Sequence, residues 1–219
     1  MRALVTGGTG KLGSGIVARL EQEEWSVFAA GTKDGELSQA GEARALVERA
    51  VEELGGLDVL VNAAGAGFEP KRLPEITEED WDEALGATVK GSFFVTQAAS
   101  PHLRASGGVV FMIEDVAAYR PWPSFAPHCA AKAAQAMLTR IFARALAPDV
   151  RVCGIAPCPV AVDPGQEERR AAETLLGRIG STEDVAEAVL FLTGAEFVTG
   201  TSLVLDGGML LQSGSVRTP

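Results

Sequence analysis

The feature that most constrains the fold is a glycine-rich turn between a short apolar run and an amphipathic segment at the start of the chain. Residues 2–6 (RALVT) have the composition of a strand, and residues 12–23 carry apolar side chains at helical spacing. The turn between them, TGGTGKLG at 6–13, places backbone amides at the positive end of a helix. This order of strand, turn and helix predicts a site for the phosphates of a dinucleotide.

The turn has two other possible interpretations. A nucleoside triphosphate loop requires Ser or Thr after Lys11 and a glycine at position 5, but Leu12 and Val5 stand there, so that interpretation is excluded. Glycines also serve helix entry and tight packing, which leaves a purely structural role open. The position directly after the first strand favours phosphate binding.

The rest of the chain alternates short β-rich runs with longer helical patterns, which indicates a parallel sheet covered by helices on both faces. Further strands are predicted at 25–30, 57–61, 108–113, 150–155 and 201–205, and helices at 42–54, 78–100, 128–146, 166–176 and 182–193. The fold class is therefore α/β, a doubly wound parallel sheet in a single domain spanning residues 1–219. We expect six or seven parallel strands with the first strand central.

Composition excludes several classes of function. The formal net charge is -10 and the 19 Lys and Arg are scattered, which argues against binding nucleic acid. The apolar runs are far shorter than the roughly 20 residues of a membrane span, and MRALVTGG is too short for a signal peptide, so we expect a cytoplasmic protein. Three cysteines and two histidines suggest neither a disulfide framework nor a metal site.

Several motifs in order resemble the short-chain dehydrogenase/reductase family. They are TGGTGKLG at 6–13, NAAG at 62–65, WDEALGATVKGSFF at 81–94, AAKAA at 130–134, VRVCGIAPCPV at 150–160 and VTGTSLVLDGG at 198–208. The resemblance covers nearly the whole chain. It implies a Rossmann-type fold, an oxidoreductase activity on a small-molecule substrate and a nicotinamide dinucleotide as cofactor.

The resemblance also implies which residues bind that cofactor. They are Thr6, Gly7, Gly10, Lys11, Leu12, Gly13, Thr32, Glu36, Leu37, Asn62, Ala63, Ala64, Gly65, Lys132, Pro157 and Val160. Lys11 and Lys33 favour NADP, whereas Asp34 could serve NAD, the alternative cofactor.

The catalytic pattern of the family is altered in this chain. Where the family has Tyr and Lys four residues apart, this chain has His128 and Lys132. At the position where the family has its catalytic Ser, this chain has Asp115. The family's helix Asn position is Thr88, and Tyr119, the single tyrosine, is followed four residues later by proline and cannot replace the missing one. We assign Asp115, His128 and Lys132 as catalytic candidates, because histidine can donate a proton near neutrality. A polar residue in an inactive pocket is the other interpretation of the histidine.

Within the family, Lys11 followed by Leu and Gly, together with Asp115, resembles the pteridine reductase branch. In that branch an aromatic ring stacks on the pterin, but Gly67 occupies the ring position here and Phe68 comes one residue later. Cys158 replaces the glycine of a Pro-Gly turn, and residues 161–165 form a short substrate loop, so a large lidded pocket is not expected.

The segment between the second strand and the next helix is shorter than in the family, so we expect the sheet edge beyond the second strand to be reduced or absent. GELS at 35–38 resembles the remnant of the segment that contacts adenine. The helices at 78–100 and 128–146 carry apolar residues on more than one face, which predicts a homodimer or homotetramer.

Two functions follow. The first is an NADPH-dependent reductase of a pterin-like or other small carbonyl or imine substrate. The second is a catalytically silent dinucleotide-binding or oligomer-partner protein on the same scaffold.

Overall fold

Six parallel strands form one sheet in the computed structural model, which describes residues 1–67, 69–160, 162 and 164–212. The strands are β1 (Arg2–Thr6), β2 (Ser26–Ala30), β3 (Val59–Asn62), β4 (Val109–Ile113), β5 (Arg151–Pro157) and β6 (Ser202–Leu205). Their order in the sheet is β2-β1-β3-β4-β5-β6. This confirms the predicted doubly wound α/β fold, including the parallel pairing of β2 with β1.

Helices follow the strands on both faces of the sheet. They are α1 (Lys11–Gln22), α2 (Ala40–Leu54), α3 (Glu78–Leu85), α4 (Ser92–Ser106), α5 (Ala126–Leu146), α6 (Glu167–Ala171) and α7 (Thr182–Gly194). Within the part of the chain that the structure describes, none of the helices has the length and apolar character needed to cross a membrane.

The core lies in two layers because successive strand residues point to opposite faces of the sheet. In β1, Leu4 packs with α2, α4 and α5 on one face, while Ala3 and Val5 pack with α1 and α7 on the other. All three side chains are fully buried. The strands therefore have apolar residues on both faces, as a parallel sheet covered on both sides requires.

The prediction that β1 is central is wrong. It is the second strand of the sheet, with β2 at the edge. Between β2 and α2 only residues 31–39 remain, and they hold one 3-10 turn, Thr32–Asp34. No length is left for the helix and strand that would extend the sheet, so the predicted reduced edge is confirmed and β1 lies next to it.

The predicted helix at 78–100 is three consecutive segments. α3 ends at Leu85, a π-helical segment spans Gly86–Gly91, and α4 continues to Ser106. The predicted start is right because Thr77 accepts a hydrogen bond from the Asp80 amide in a capping box. Periodicity alone does not reveal the widened segment.

The predicted helix at 166–176 is much shorter than expected. α6 ends at Ala171, and turns follow. The Thr174 hydroxyl lies 3.0 Å from the carbonyl oxygen of Ala171 and 2.9 Å from that of Arg178. Such side-chain to backbone bonds compete with continued helix.

Candidate active site

A cleft of about 1270 Å³ opens where the loops after β1, β3, β4 and β5 meet. After β1 the chain forms β2 on one side of β1, and it then crosses over to form β3 on the other side. The sheet therefore has its switch point between β1 and β3. Open α/β sheets bind ligands in the crevice at the carboxyl ends of the strands beside such a point. The cleft is therefore the candidate site.

The glycine-rich turn forms one end of this cleft, and two of its glycines are required by close backbone approach. Gly7 has a φ of +67°, and a Cβ there would lie 2.7 Å from the Ala63 carbonyl oxygen. A Cβ on Gly13 would lie 2.1 Å from the Gly7 carbonyl oxygen. The turn is thus packed tightly against the loop after β3 and against the start of α1.

Gly10 is different, because a Cβ there would meet only the Gly7 carbonyl oxygen, at 3.3 Å. Gly10 lines the cleft and is the N-cap of α1, so no side chain caps the first amides of this helix. Lys11, Leu12 and Gly13 follow in the same lining. An uncapped helix N-terminus with open space beside it fits the diphosphate of a dinucleotide.

Two predicted cofactor residues lie beneath the cleft and do not line it. Thr6 is buried at the end of β1, and its hydroxyl accepts a hydrogen bond of 3.3 Å from the Ala64 amide. The Asn62 side-chain amide donates to the Thr96 hydroxyl at 3.0 Å. Thr6 thus supports the backbone of Ala64, which lines the cleft with Ala63 and Gly65, and Asn62 ties the end of β3 to α4.

Thr32, Glu36 and Leu37, which the sequence assigns to cofactor binding, also line the cleft. The Ser38 hydroxyl and amide beside the Glu36 carboxyl lower its pKa. Asp34, the residue that could serve NAD, does not line the cleft. Its carboxylate accepts a 2.8 Å bond from the Gly31 amide and pairs with Arg49 at 2.8 Å. The Asp34 carboxylate therefore stabilises the turn and is directed to Gly31 and Arg49.

Lys132 lies on α5 with its side chain buried beside the cleft. Its Nζ donates to the Ile113 carbonyl oxygen at 2.7 Å and to Gln135 Oε1 at 3.0 Å. Burial lowers the pKa of Lys132 to about 8, against the opposing effect of the Asp115 and Glu114 carboxylates. The ammonium group is fixed by neutral acceptors and weakly solvated.

His128 and Asp115 come together at the middle of the cleft, although thirteen positions separate them in the chain. His128 Nε2 lies 3.7 Å from Asp115 Oδ2, which is beyond a direct hydrogen bond but within reach of a small side-chain adjustment. Asp115 is held in place because its Oδ1 accepts a 2.7 Å bond from the Ala117 amide. His128 is 7% exposed, so any ligand that reaches it is shielded from bulk water.

Thr88, at the family's Asn position, is buried in the π-helical segment and also lines the cleft. Its carbonyl oxygen accepts a 2.6 Å bond from the Ser92 hydroxyl. Such segments often occur at functional sites because they redirect a helix locally. All three altered positions, with Lys132, therefore belong to one cleft.

Glu114 is a site residue that sequence reasoning missed. Its carboxylate is buried in the cleft wall and accepts bonds from the hydroxyls of Thr139 (2.6 Å), Ser202 (3.0 Å) and Tyr119 (3.0 Å). It thus joins the end of β4 to α5 and β6. The available signal was an acidic residue directly after a fully apolar strand, VVFMI at 109–113. Tyr119 does not line the cleft, in agreement with its exclusion as proton donor.

Aromatic and apolar side chains line another part of the cleft. Trp122 and Phe125 line it with ring centroids 6.2 Å apart and planes at 71°. Pro157 and Val160, predicted from the family motif, also line the cleft. Gly67 also lines the cleft, whereas Phe68 lies outside the described residues.

Comparison with known proteins identifies the family. A family model described as enoyl-(acyl carrier protein) reductase matches residues 13–210. A Streptomyces violaceoruber protein named for a ketoacyl reductase of the granaticin polyketide synthase is 37% identical, with 94% of each chain covered. The 4-formylbenzenesulfonate dehydrogenase of Comamonas testosteroni is 32% identical over 94% of this chain and 96% of its own.

A solved structure agrees with these relatives. The 3-ketoacyl-(acyl-carrier-protein) reductase of Brucella melitensis, complexed with NADH, superposes with a TM-score of 0.89 at 26% identity, covering 94% of this chain and 97% of its own. The chain belongs to the short-chain dehydrogenase/reductase family, and it is an oxidoreductase of that type.

Proposed function

We propose that this protein is an NAD(P)H-dependent reductase of a small carbonyl substrate in which His128 takes the role of proton donor. The observation that carries the proposal is the 3.7 Å approach of His128 Nε2 to Asp115 Oδ2 in a cleft that also contains Lys132 and the glycine-rich turn. A bound nicotinamide supplies hydride transfer. The protein must then bind the carbonyl group and provide a proton to its oxygen.

The roles of the three polar residues follow from their surroundings. His128 donates the proton from Nε2, and the Asp115 carboxylate lies 3.7 Å from that nitrogen. Lys132 is held by Ile113 and Gln135 where the family resemblance assigns a contact to the cofactor ribose. Burial of His128 and Lys132 strengthens each of these interactions because the local dielectric constant is low.

We propose NADP as the preferred cofactor. Lys11 lines the cleft beside the glycine-rich turn and provides a positive charge for a phosphate. The Asp34 carboxylate, which could bind the ribose of NAD, instead accepts a hydrogen bond from the Gly31 amide and pairs with Arg49. Lys33 is exposed and does not line the cleft, so we assign the phosphate preference to Lys11 alone.

A pterin-like heterocycle is the second candidate substrate. The observation that favours it is the aromatic pair of Trp122 and Phe125, which can contact a flat ring although Gly67 has no ring to stack. The Lys11 and Asp115 positions that resemble the pteridine reductase branch both line the cleft. The names of the relatives favour a carbonyl substrate, which we therefore place first.

We also propose that the protein acts as a homodimer or homotetramer through α4 and α5. Met137 and Ile141 lie one turn apart on α5 and are 51% and 48% exposed. Phe142 on the same helix is buried against the sheet side. A helix that is apolar on both faces requires a second partner, and an identical helix of another copy supplies one.

The experiment that tests the function is NADPH consumption, followed by absorbance at high protein concentration. Benzaldehyde, a 3-ketoacyl thioester and a dihydropterin serve as substrates. Turnover of a carbonyl compound supports the proposal, and turnover of the dihydropterin alone favours the second candidate. Binding of NADPH with no turnover of any substrate contradicts both and leaves a silent dinucleotide-binding protein.

A further inference from the structure

The cleft contains two arginines that the proposed chemistry does not use. Arg169 and Arg170 lie next to each other on α6, and both line the cleft. They stand out because the protein as a whole carries a net charge of -10. An acidic protein repels anions at long range, so cations concentrated inside a cleft create a local site of opposite sign.

Arg170 lies close to the reaction centre. Its Nη2 is 3.7 Å from the Sγ of Cys158, which follows β5. Burial raises the pKa of the Cys158 thiol to about 12; the Asp115 carboxylate acts in the same direction, and Arg170 opposes it. Cys158 is therefore within electrostatic range of both groups, and all three residues line the cleft.

An apolar cluster borders the same cysteine. Cys158 is buried in a small cluster with Val116 and Met209, and Trp122 packs against this cluster. An apolar cluster with an aromatic ring and a guanidinium thus both border Cys158, and Trp122, Cys158 and Arg170 all line the cleft. A substrate that covers this wall contacts an apolar surface and a cationic group.

The two arginines differ in how much charge they can offer. Arg170 Nη1 pairs with Glu173 at 2.6 Å, so this carboxylate neutralises part of its charge. Arg169 is exposed, and no hydrogen bond or ion pair joins it to another described residue. A guanidinium of this kind binds carboxylate, sulfonate or phosphate groups in bidentate geometry.

We propose that Arg169 and Arg170 form an anion subsite, and that the substrate is an aromatic or conjugated carbonyl compound bearing a carboxylate or a chemically similar anionic group. This inference rests on the proposed function. Trp122 contacts the flat part of the substrate, its carbonyl group lies at His128 and Asp115, and the anionic group lies at the arginines.

The test measures binding in a ternary complex that cannot react. Protein saturated with NADPH is titrated by calorimetry with 4-(hydroxymethyl)benzoate and with its neutral analogue 4-(hydroxymethyl)benzamide. These alcohols are not reduced by NADPH, so the measurement is independent of turnover. We expect the benzoate to bind about tenfold more tightly, as one charge-assisted hydrogen bond allows. Higher salt is expected to reduce that preference.

Variants assign this preference to the arginines. In the double variant Arg169→Gln, Arg170→Gln the tenfold preference is lost while benzamide binding is unchanged. Arg44→Gln is the matched control, because Arg44 is exposed on α2 and does not line the cleft, and it retains the preference. Equal binding of the two compounds to the wild type, no binding of the benzoate, or a preference that survives in the double variant overturns the inference.

A separate measurement distinguishes failure of the inference from failure of the proposed function. NADPH consumption with neutral benzaldehyde does not depend on an anion subsite. Turnover of benzaldehyde with equal binding of the two alcohols overturns the subsite alone. Absence of all turnover with a preference for the benzoate contradicts the proposed function and retains the subsite.

Discussion

The Glu114 carboxylate reaches across Gly154, where a Cβ would lie only 2.1 Å from Glu114 Oε1. Gly154 is in β5, so the missing side chain lets Glu114 extend from the end of β4 to Ser202 on β6. The same Oε1 accepts a 2.6 Å bond from Thr139 of α5. This contact fixes α5, and with it His128 and Lys132, relative to the loop that carries Asp115.

The first prediction concerns this contact. Gly154→Ala forces the methyl group against Glu114 and Ser202, and we expect a loss of about 1–3 kcal/mol in the free energy of unfolding, as for other overpacked cores. Chemical denaturation measures it. Gly41→Ala in α2 is the control, because no atom lies within 4 Å of its added Cβ, and it is expected to leave stability unchanged or slightly raised. Equal stability of Gly154→Ala and wild type would contradict the packing described.

The second prediction concerns the proton donor. His128→Ala removes the group that faces Asp115, and we expect kcat to fall by about 100 to 10,000 fold, the usual contribution of a general acid. His102→Ala is the matched control, since the only other histidine lies on α4 outside the cleft. NADPH affinity, measured by fluorescence, is expected to be unchanged in both variants. Full activity of His128→Ala would exclude the proposed role.

The proton donor can also be exchanged for that of the family. His128→Tyr restores the Tyr and Lys pair with Lys132 one turn away, and we expect a reductase rate at least as high as that of the wild type. The comparison is made at one NADPH concentration that saturates both proteins. A wild type and a His128→Tyr variant that both bind NADPH but are equally inert would favour the silent-binding alternative.

The third prediction concerns pH and the buried Lys132. Its pKa is lowered to about 8 in the folded protein, so the unfolded chain binds more protons between about pH 8 and 10.5. The free energy of unfolding from this group therefore rises with pH across that window, by about 3 kcal/mol in total. Urea denaturation of wild type and Lys132→Met across this range measures the difference, in which other titrating groups cancel. Parallel stability curves of the two proteins would show that Lys132 keeps an ordinary pKa.

The fourth prediction concerns cofactor choice. Lys11→Gln removes a charge beside the glycine-rich turn, and we expect the Kd for NADPH to rise about tenfold while the Kd for NADH changes little. The shift of Tm with cofactor concentration gives both constants. Lys33→Gln is the control, because Lys33 is exposed outside the cleft lining. A loss of NADPH preference in Lys33→Gln and not in Lys11→Gln would reassign the phosphate contact.

The fifth prediction concerns assembly. Met137→Asp with Ile141→Asp places two charges on the exposed apolar face of α5, and we expect the wild-type dimer or tetramer to become a monomer. Sedimentation velocity at micromolar concentration measures this. Leu73→Asp is the control, because Leu73 is 74% exposed on a different surface, in a 3-10 turn before α3. A wild type that sediments as a monomer would contradict the proposal.

The sequence by itself determined the order of strands and helices, the parallel sheet and the place of the glycine-rich turn. These follow from local rules: apolar periodicity, the capping box at Thr77 and the need for glycine where backbones approach closely at Gly7 and Gly13. The sequence also predicted the truncated sheet edge, because residues 31–39 are too few to form another helix and strand. The same truncation places β1 next to the edge, which the expectation of a central first strand did not take into account.

Only the tertiary structure decided which polar side chains share a site. Glu114, Thr139, Gly154 and Ser202 lie far apart in the chain, and no local pattern indicates that two hydroxyls and a carboxylate meet beside a glycine there. Arg169 and Arg170 likewise become part of the cleft only when α6 packs beside the end of β5. The physical reason is that periodicity and turn chemistry act over a few residues, whereas hydrogen bonds and charge pairs across a sheet depend on which strands become neighbours.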